Sequence, residues 1–313
     1  MCVSHLNIGI RRVDFGTKQL AFPPQVTDWL RFSRYASLVR HLHYNIHSPT
    51  HKHLHYSVFD EIARTRLHLR VFPNLHTLEW ITGGMNDMKM SVVFMHDRVK
   101  HFIVWVPFEE KRIHLDRVGP TPYFHDVAAR MPKLTRLDLR MDVPSSLVTA
   151  PVITLLTSLS ALETVIFPNY HITSEILTSL STLPYLGIIL FEWDSDQGGG
   201  SLDDVQKVTP TLSQGAFPAL WDLSLTSTLR DMRKFLELPF APVNLTNLYV
   251  DCPCLQSAEV VGGFLKSVAD NCQMLKVLCL ELRWANFTES RTTRENRITF
   301  ETIKPLLECP NLV

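Results

Sequence analysis

The chain has 313 residues, of which 45% are hydrophobic, and its 31 basic and 31 acidic side chains give a formal net charge of zero. This balance argues against binding a polyanion by charge alone, so no nucleic-acid partner is expected. No stretch approaches the roughly twenty apolar residues that a membrane helix needs, and the first residues do not resemble a secretory signal. We therefore expect a cytoplasmic or nuclear protein with reduced cysteines and no membrane partner.

A short apolar phrase with the spacing L-x-x-L-x-L recurs along the chain. Its clearest copies follow Pro73, Pro132 and Pro218. The copies begin at Val39, Leu75, Val99, Leu134, Leu162, Leu186, Leu220, Leu245, Leu275 and Leu312. Successive copies are 24 to 37 residues apart, and such a recurrence is typical of a leucine-rich-repeat solenoid.

The spacing within each phrase predicts a strand. Its last two apolar residues, such as Leu137 and Leu139, lie two positions apart, so a strand places both on one face of a sheet. One short strand cannot bury that face alone, whereas stacked parallel strands share a continuous core, and the chain must return along the opposite side. We predict an α/β fold: a leucine-rich-repeat solenoid, shaped as a horseshoe or arc, with a concave parallel sheet and convex helices. Residues 1–38 form a lead-in, and residues 39–313 form about ten irregular units.

The return segments carry helical signals. Three segments, which begin at Ser57, Ser201 and Thr228, place a hydroxyl three residues before an aspartate, a pattern that can cap a helix. Apolar residues recur at helical spacing within 152–159, 176–180 and 260–268. A doubly wound α/β domain is the alternative, because βαβ units also alternate. The repeated phrase, and the lack of a glycine-rich turn after any strand, favour the solenoid.

A cluster of histidines is the main candidate for a metal site. Six lie close together in the sequence: His41, His43, His47, His51, His53 and His55. On a strand, His41 and His43 face the same way, so a transition-metal site is conceivable. The turn composition of Ser48-Pro49-Thr50, and the absence of cysteine or carboxylate before Asp60, favour a polar loop instead. We predict no metal and no other cofactor here.

Two further groups fail as metal sites. The C-x-C and C-x6-C spacing of Cys252, Cys254, Cys272 and Cys279 is not a standard zinc pattern. Asp194-Ser195-Asp196 resembles the opening of a calcium loop, but Val205 stands where that loop needs a glutamate. The sequence also lacks a nucleophile elbow, a phosphate-binding loop and a zinc-protease helix. We therefore expect no enzyme activity and name no catalytic residue.

Two stretches carry a family resemblance. Residues 22–42, followed by residues 72–80, resemble the segment that comes after the F-box in F-box proteins with degenerate leucine-rich repeats from mushroom-forming fungi. The phrases that begin at Cys272 and Cys309 are similar to the cysteine-containing repeat subtype of F-box proteins. The resemblance covers the chain from about Phe22 to its end, and it rests on the order of the motifs.

The resemblance implies a substrate-recognition role in an SCF-type ubiquitin ligase. In such proteins the F-box helices bind the linker subunit of the cullin ligase, and the repeat sheet holds the protein substrate. The F-box itself is missing ahead of Phe22, so the linker subunit is an expected partner only if an F-box lies upstream. The chain also ends at Val313 inside a phrase, which suggests a fragment or a truncated gene.

The strand spacing also predicts a partner-binding concave face, formed by the positions between and after the inward apolar residues. Its members are His41, His43, Thr77, Glu79, His101, Ile103, Arg136, Asp138, Arg140, Thr164, Ile166, Ile188, Leu190, Asp222, Ser224, Asn247, Tyr249 and Glu281. Apolar residues among charged ones are typical of a protein-docking surface. The alternatives are a loop that covers these residues, and ion pairing among Arg136, Asp138 and Arg140 alone.

Two hypotheses of function follow. The first is a protein-interaction scaffold that binds a protein substrate on the concave face. The second is a metal-binding or catalytic protein organised around the segment from His41 to His55.

Overall fold

The fold is taken from a computed structural model of the chain. The structure describes residues 10–12, 18–47, 54–106, 120–141, 143–192, 202–205, 208–254, 256–282 and 298–312. The chain divides into two compact units, Met1–Leu134 and Thr135–Val313. Within the described ranges, no helix is both long enough and apolar enough to cross a membrane.

The described part of the first unit contains three parallel strands. They pair in chain order and are β3 (His41–Asn45), β4 (Thr77–Ile81) and β5 (His101–Val106). A short antiparallel pair precedes them, made by β1 (Ile10–Arg12) and β2 (Lys18–Leu20). The helices of this unit are α1 (Val26–Ala36), α2 (Tyr56–Thr65), α3 (Met85–Lys89) and α4 (Thr121–Arg130), with a 3₁₀ segment at Met90–Phe94.

Among its described residues, the second unit contains six parallel strands, and each pairs with the next one along the chain. They are β6 (Arg136–Met141), β7 (Thr164–Pro168), β8 (Ile188–Glu192), β9 (Asp222–Thr226), β10 (Asn247–Cys252) and β11 (Val277–Leu282). Its helices are α5 (Ser145–Ser158), α6 (Ser174–Leu180), α7 (Leu202–Val205), α8 (Leu229–Leu236), α9 (Ala258–Asn271) and α10 (Phe300–Ile303), followed by a 3₁₀ segment at Lys304–Glu308.

The predicted α/β class, with parallel strands and intervening helices, is confirmed. Each parallel strand begins two residues after the first apolar residue of a phrase, as β6 does after Leu134. The tenth phrase begins at Leu312, beside the end of the sequence. The helical spacing predicted within 152–159, 176–180 and 260–268 falls in α5, α6 and α9.

Alternate residues of β4 to β10 build the core, whereas the corresponding residues of β3 and β11 are only partly buried. Leu137 and Leu139 of β6 are buried, as are Leu223 and Leu225 of β9. Helices supply the other side of the core, and in α9 the buried residues include Phe264. Burial of such side chains from water is the main driving force for folding.

An aromatic cluster fills the core of the first unit around Trp80. The Trp80 ring stacks on Tyr44 at a centroid distance of 4.3 Å and meets Phe59 and Phe94 at 5.5 and 5.7 Å. The indole nitrogen donates a hydrogen bond of 2.9 Å to the carbonyl oxygen of Asp87. Trp80 therefore links β3, β4, α2 and the 3₁₀ segment, with its one polar group paired.

The helix starts only partly match the predicted caps. Thr228 caps α8 as predicted, since its hydroxyl oxygen accepts from the Asp231 backbone N–H at 3.1 Å. The prediction for Ser57 is wrong, because α2 begins at Tyr56 and its cap lies two residues earlier, at His55, whose Nδ1 accepts from the Ser57 N–H at 3.4 Å. Histidine supplies an acceptor nitrogen that the hydroxyl pattern does not include. Ser201 lies outside the described residues.

His96, a buried residue that precedes β5, is hydrogen-bonded to the backbone through both ring nitrogens. Its Nε2 lies 2.9 Å from the Phe72 carbonyl oxygen, and its Nδ1 accepts from the Arg98 backbone N–H at 3.2 Å. This arrangement needs a neutral ring with the proton on Nε2. Burial, as the largest cause, lowers the pKa of His96 below its ordinary value.

We expect the free energy of unfolding to fall as the pH drops below about 6.5, toward the lower folded pKa, because the unfolded chain then binds a proton that the folded ring does not. Urea unfolding at a series of pH values between about 7 and 5 measures this loss. His96→Gln keeps a donor toward Phe72 but cannot titrate, so its unfolding should vary less with pH. A wild-type slope no steeper than that of His96→Gln would contradict the assignment, and His125→Gln, at an exposed position of α4, is the control.

Candidate functional site

The strand positions that alternate with the core form rows across the second unit. The register aligns the first row as Arg136, Thr164, Ile188, Asp222, Asn247 and Val277. A second row aligns Asp138, Ile166 and Leu190, and the next three strands continue with Ser224, Tyr249 and Cys279. A third aligns Thr226, Asp251 and Glu281. The rows alternate with core positions because successive side chains of a strand point to opposite faces.

Exposure varies along these rows. Arg136 is exposed, and Ile188 and Leu190 are partly exposed. Asp138 and Ser224 retain only 4% and 7% of their surface, and Ile166 only 8%. These three residues belong to the predicted face but are largely covered. They offer a partner less surface than their position alone predicts.

Apolar side chains of the rows lie together on two neighbouring strands of the second unit, and charged side chains lie on the other strands. Ile166, Ile188 and Leu190 lie on β7 and β8, the second and third of the unit's described strands. Arg136 and Arg140 lie on β6, and Asp222 and Glu281 lie on β9 and β11. The Arg140 guanidinium bonds both carboxylate oxygens of Asp138 at 3.3 and 3.4 Å, so the predicted pairing of these two is present.

Hydrogen bonds fix two side chains on the acidic side. The Asn247 amide donates to Asp222 Oδ2 at 3.0 Å, and the Tyr249 hydroxyl donates to Glu281 Oε2 at 2.5 Å. Burial, and then the hydrogen bond to the Glu281 carboxylate, raise the pKa of Tyr249 above its ordinary value. Its ring also meets that of Phe191 edge to face at 5.2 Å. Tyr249 is therefore held in one orientation, as a neutral donor.

The first unit brings together three of the predicted residues. Glu79 Oε2 lies 2.7 Å from His43 Nδ1 and 3.7 Å from His41 Nε2. The register places Thr77 between His41 and His101, and Glu79 between His43 and Ile103. The His101 ring meets His76 at 4.6 Å. The imidazoles of His41 and His43 and the carboxylate of Glu79 therefore form a polar patch on β3 and β4.

The candidate metal ligands do not converge in the residues that the structure describes. There, no three histidine, cysteine, aspartate or glutamate side chains are arranged to hold a metal ion. His51 and His53, and Asp194 and Asp196 of the calcium-like segment, lie outside the described residues. Of the four cysteines considered for zinc, Cys252 and Cys254 have sulfurs 3.8 Å apart.

Sequence reasoning missed several members of the rows. Val277 and Cys279 align with Asn247 and Tyr249 at the edge of the described sheet. Cys279 and Val277 precede Glu281, which was included, by two and four residues, and this alternation along the strand is the signal that finds them. Asp251 was missed as well, and it is fully buried, so a carboxylate in a row position does not ensure exposure.

No protein-family model matches the chain, and no curated protein is similar to it in sequence.

Proposed function

We propose that this chain is a leucine-rich-repeat solenoid that binds a protein through the outward rows of its sheet, as the substrate-recognition part of an F-box adaptor for an SCF-type ubiquitin ligase. The order of the strands supports the solenoid fold. In each unit the strands follow the chain order. A doubly wound domain instead reverses its strand order at a switch point. Strands that begin at a fixed offset from each phrase also support the repeat interpretation.

The observation that carries the proposed binding role is a group of neighbouring aliphatic side chains in the outward rows of the second unit. This aliphatic centre consists of the partly exposed Ile188 and Leu190 on β8, beside the largely covered Ile166 on β7, and its exposed part is apolar area that a partner can exclude from water. Asp138 on β6 is nearly buried and paired with Arg140. The residues that border the centre are Arg136 and Arg140 on β6 and Asp222 on β9, and Glu281 lies two strands further along the sheet on β11. Such a border adds little affinity but selects partners by charge complementarity. The ligase role itself is supported by the resemblance of residues 22–42 and 72–80.

A charge placed in the aliphatic centre should abolish binding without unfolding the chain. We expect Leu190→Asp to reduce recovery of bound proteins at least about tenfold, because a desolvated carboxylate opposes an apolar contact at the centre of an interface. Leu147→Asp, at a site on α5 that is 52% exposed, makes the same chemical change on a helix. Quantitative mass spectrometry of proteins retained by each purified variant gives the comparison.

Equal recovery by the Leu190→Asp and Leu147→Asp baits would refute binding through the rows. The ligase role is tested separately by placing an F-box ahead of Phe22. Cullin-ligase subunits should then be recovered only with that addition, and substrate recovery should still depend on Leu190. Recovery of substrate but never of ligase subunits would leave a binding module and overturn the adaptor role.

A further inference from the structure

Two thiols meet at the end of β10. The sulfurs of Cys252 and Cys254 lie 3.8 Å apart, with Pro253 between the two residues. Cys252 is fully buried, whereas Cys254 is partly exposed. The pair is separate from the outward rows and has no role in the proposed binding surface.

The spacing of the two residues permits a covalent bond between the sulfurs. A disulfide needs the sulfurs about 2.05 Å apart and the Cα atoms usually within about 4.4–6.8 Å. Two residues of even fully extended chain span at most about 7 Å. The sulfurs are already in van der Waals contact, so rotation of the Cys254 side chain can close the remaining gap while β10 keeps its ladder with β9 and β11.

The surroundings give the two thiols different roles. The Gln256 amide donates to the Cys254 sulfur at 2.8 Å, on the partly exposed side. The Cys252 thiol donates to the Cys254 carbonyl oxygen at 3.4 Å, and burial, as the largest cause, raises the pKa of Cys252 to about 11. Cys254 is therefore the sulfur that a solute reaches first, and Cys252 is a protected thiol beside it.

We propose that Cys252 and Cys254 form a reversible oxidation site that reacts with low-molecular-weight disulfides such as glutathione disulfide. The Cys254 thiolate attacks one sulfur of glutathione disulfide, which forms a mixed disulfide and releases one glutathione thiolate. The Cys252 thiolate then attacks the Cys254 sulfur, and the second glutathione leaves. The two protons of the protein thiols pass to the two glutathione molecules, so one disulfide is reduced as one forms.

The disulfide between Cys252 and Cys254 closes a small ring, and this makes it easy to reduce again. A disulfide between residues two apart encloses a proline and lies near the surface, and strained or exposed disulfides are the readily reduced ones. The other described cysteines differ. Cys272 and Cys309 are buried, and burial raises the pKa of Cys272 to about 12. Cys279 is exposed on β11 and serves as the comparison for a thiol that reacts with glutathione disulfide.

The experiment treats the full reduced chain with glutathione disulfide, blocks the remaining thiols and maps the peptides by mass spectrometry. In the wild type we expect Cys252 and Cys254 linked to each other within one chain, while Cys279 keeps a bound glutathione. Cys252→Ser should accumulate glutathione on Cys254, because no second thiol displaces it. Cys254→Ser should leave Cys252 unmodified, and Cys279→Ser should leave the intrachain link unchanged.

A wild type in which Cys254 holds glutathione as persistently as Cys279, or in which neither residue of the pair reacts, would overturn the proposal. An interchain link in place of the intrachain one would do the same. Circular dichroism checks that each serine variant is folded. As a second measurement on the unmutated chain, phenylarsine oxide should bridge the two thiols with one arsenic per chain and prevent their oxidation, and failure to do either would count against a paired dithiol.

Discussion

Replacing Trp80 with alanine is expected to lower the free energy of unfolding by about 3–5 kcal/mol. The side chain is fully buried and contacts the rings of Tyr44, Phe59 and Phe94. Its removal leaves a cavity that these rings cannot fill, because they belong to separate elements. It also leaves the Asp87 carbonyl oxygen without the indole N–H. Urea unfolding followed by circular dichroism measures the loss.

Two variants bracket this prediction. Trp80→Phe keeps a ring against Tyr44 and should lose less stability than Trp80→Ala. Trp221→Ala removes the same side chain from a site that is 42% exposed and should cost under about 1 kcal/mol. Equal losses at Trp80 and Trp221 would show that the aromatic cluster does not hold the first unit together.

The local pattern of the sequence predicts the strands because two apolar residues of each phrase must share one face. Leu137 and Leu139 illustrate this, and their strand β6 starts two residues after Leu134. Helix caps are also local, which is why Thr228 could be identified. The α/β class therefore follows from the spacing of apolar residues, which recur every 2 positions in the strands and about every 3.6 positions in the helices.

Contacts between distant residues could not be predicted in this way. Whether Asp138 is exposed depends on Arg140 and on side chains of the neighbouring strand, and the structure covers it almost completely. The bond from Tyr249 to Glu281 joins residues 32 positions apart. The alignment of Glu79 with His43 depends on the register between β3 and β4. Neither hydrogen-bond partners nor register are encoded in a single phrase.

The proposed binding surface assumes that side chains along each strand alternate between the core and the outward rows. Placing a charge at a core position tests this assumption. Leu223 of β9 is fully buried and aligns with Ile189 and Leu248. Its neighbour Asp222 lies in the outward row and carries a carboxylate. Position 222 therefore holds a carboxylate in the native protein, whereas a carboxylate at position 223 should be destabilising.

We expect Leu223→Asp to destabilise the second unit by at least about 3–5 kcal/mol, because its carboxylate would be buried without a partner. Leu223→Ala gives the loss due to the cavity alone, and the aspartate variant should exceed it. Hydrogen exchange of residues 135–313 and urea unfolding measure both, with Leu147→Asp as the exposed control. Tolerance of aspartate at Leu223 to the same degree as at Leu147 would mean that the inward and outward positions of β9 are wrongly assigned, and the surface built on that parity would fail with it.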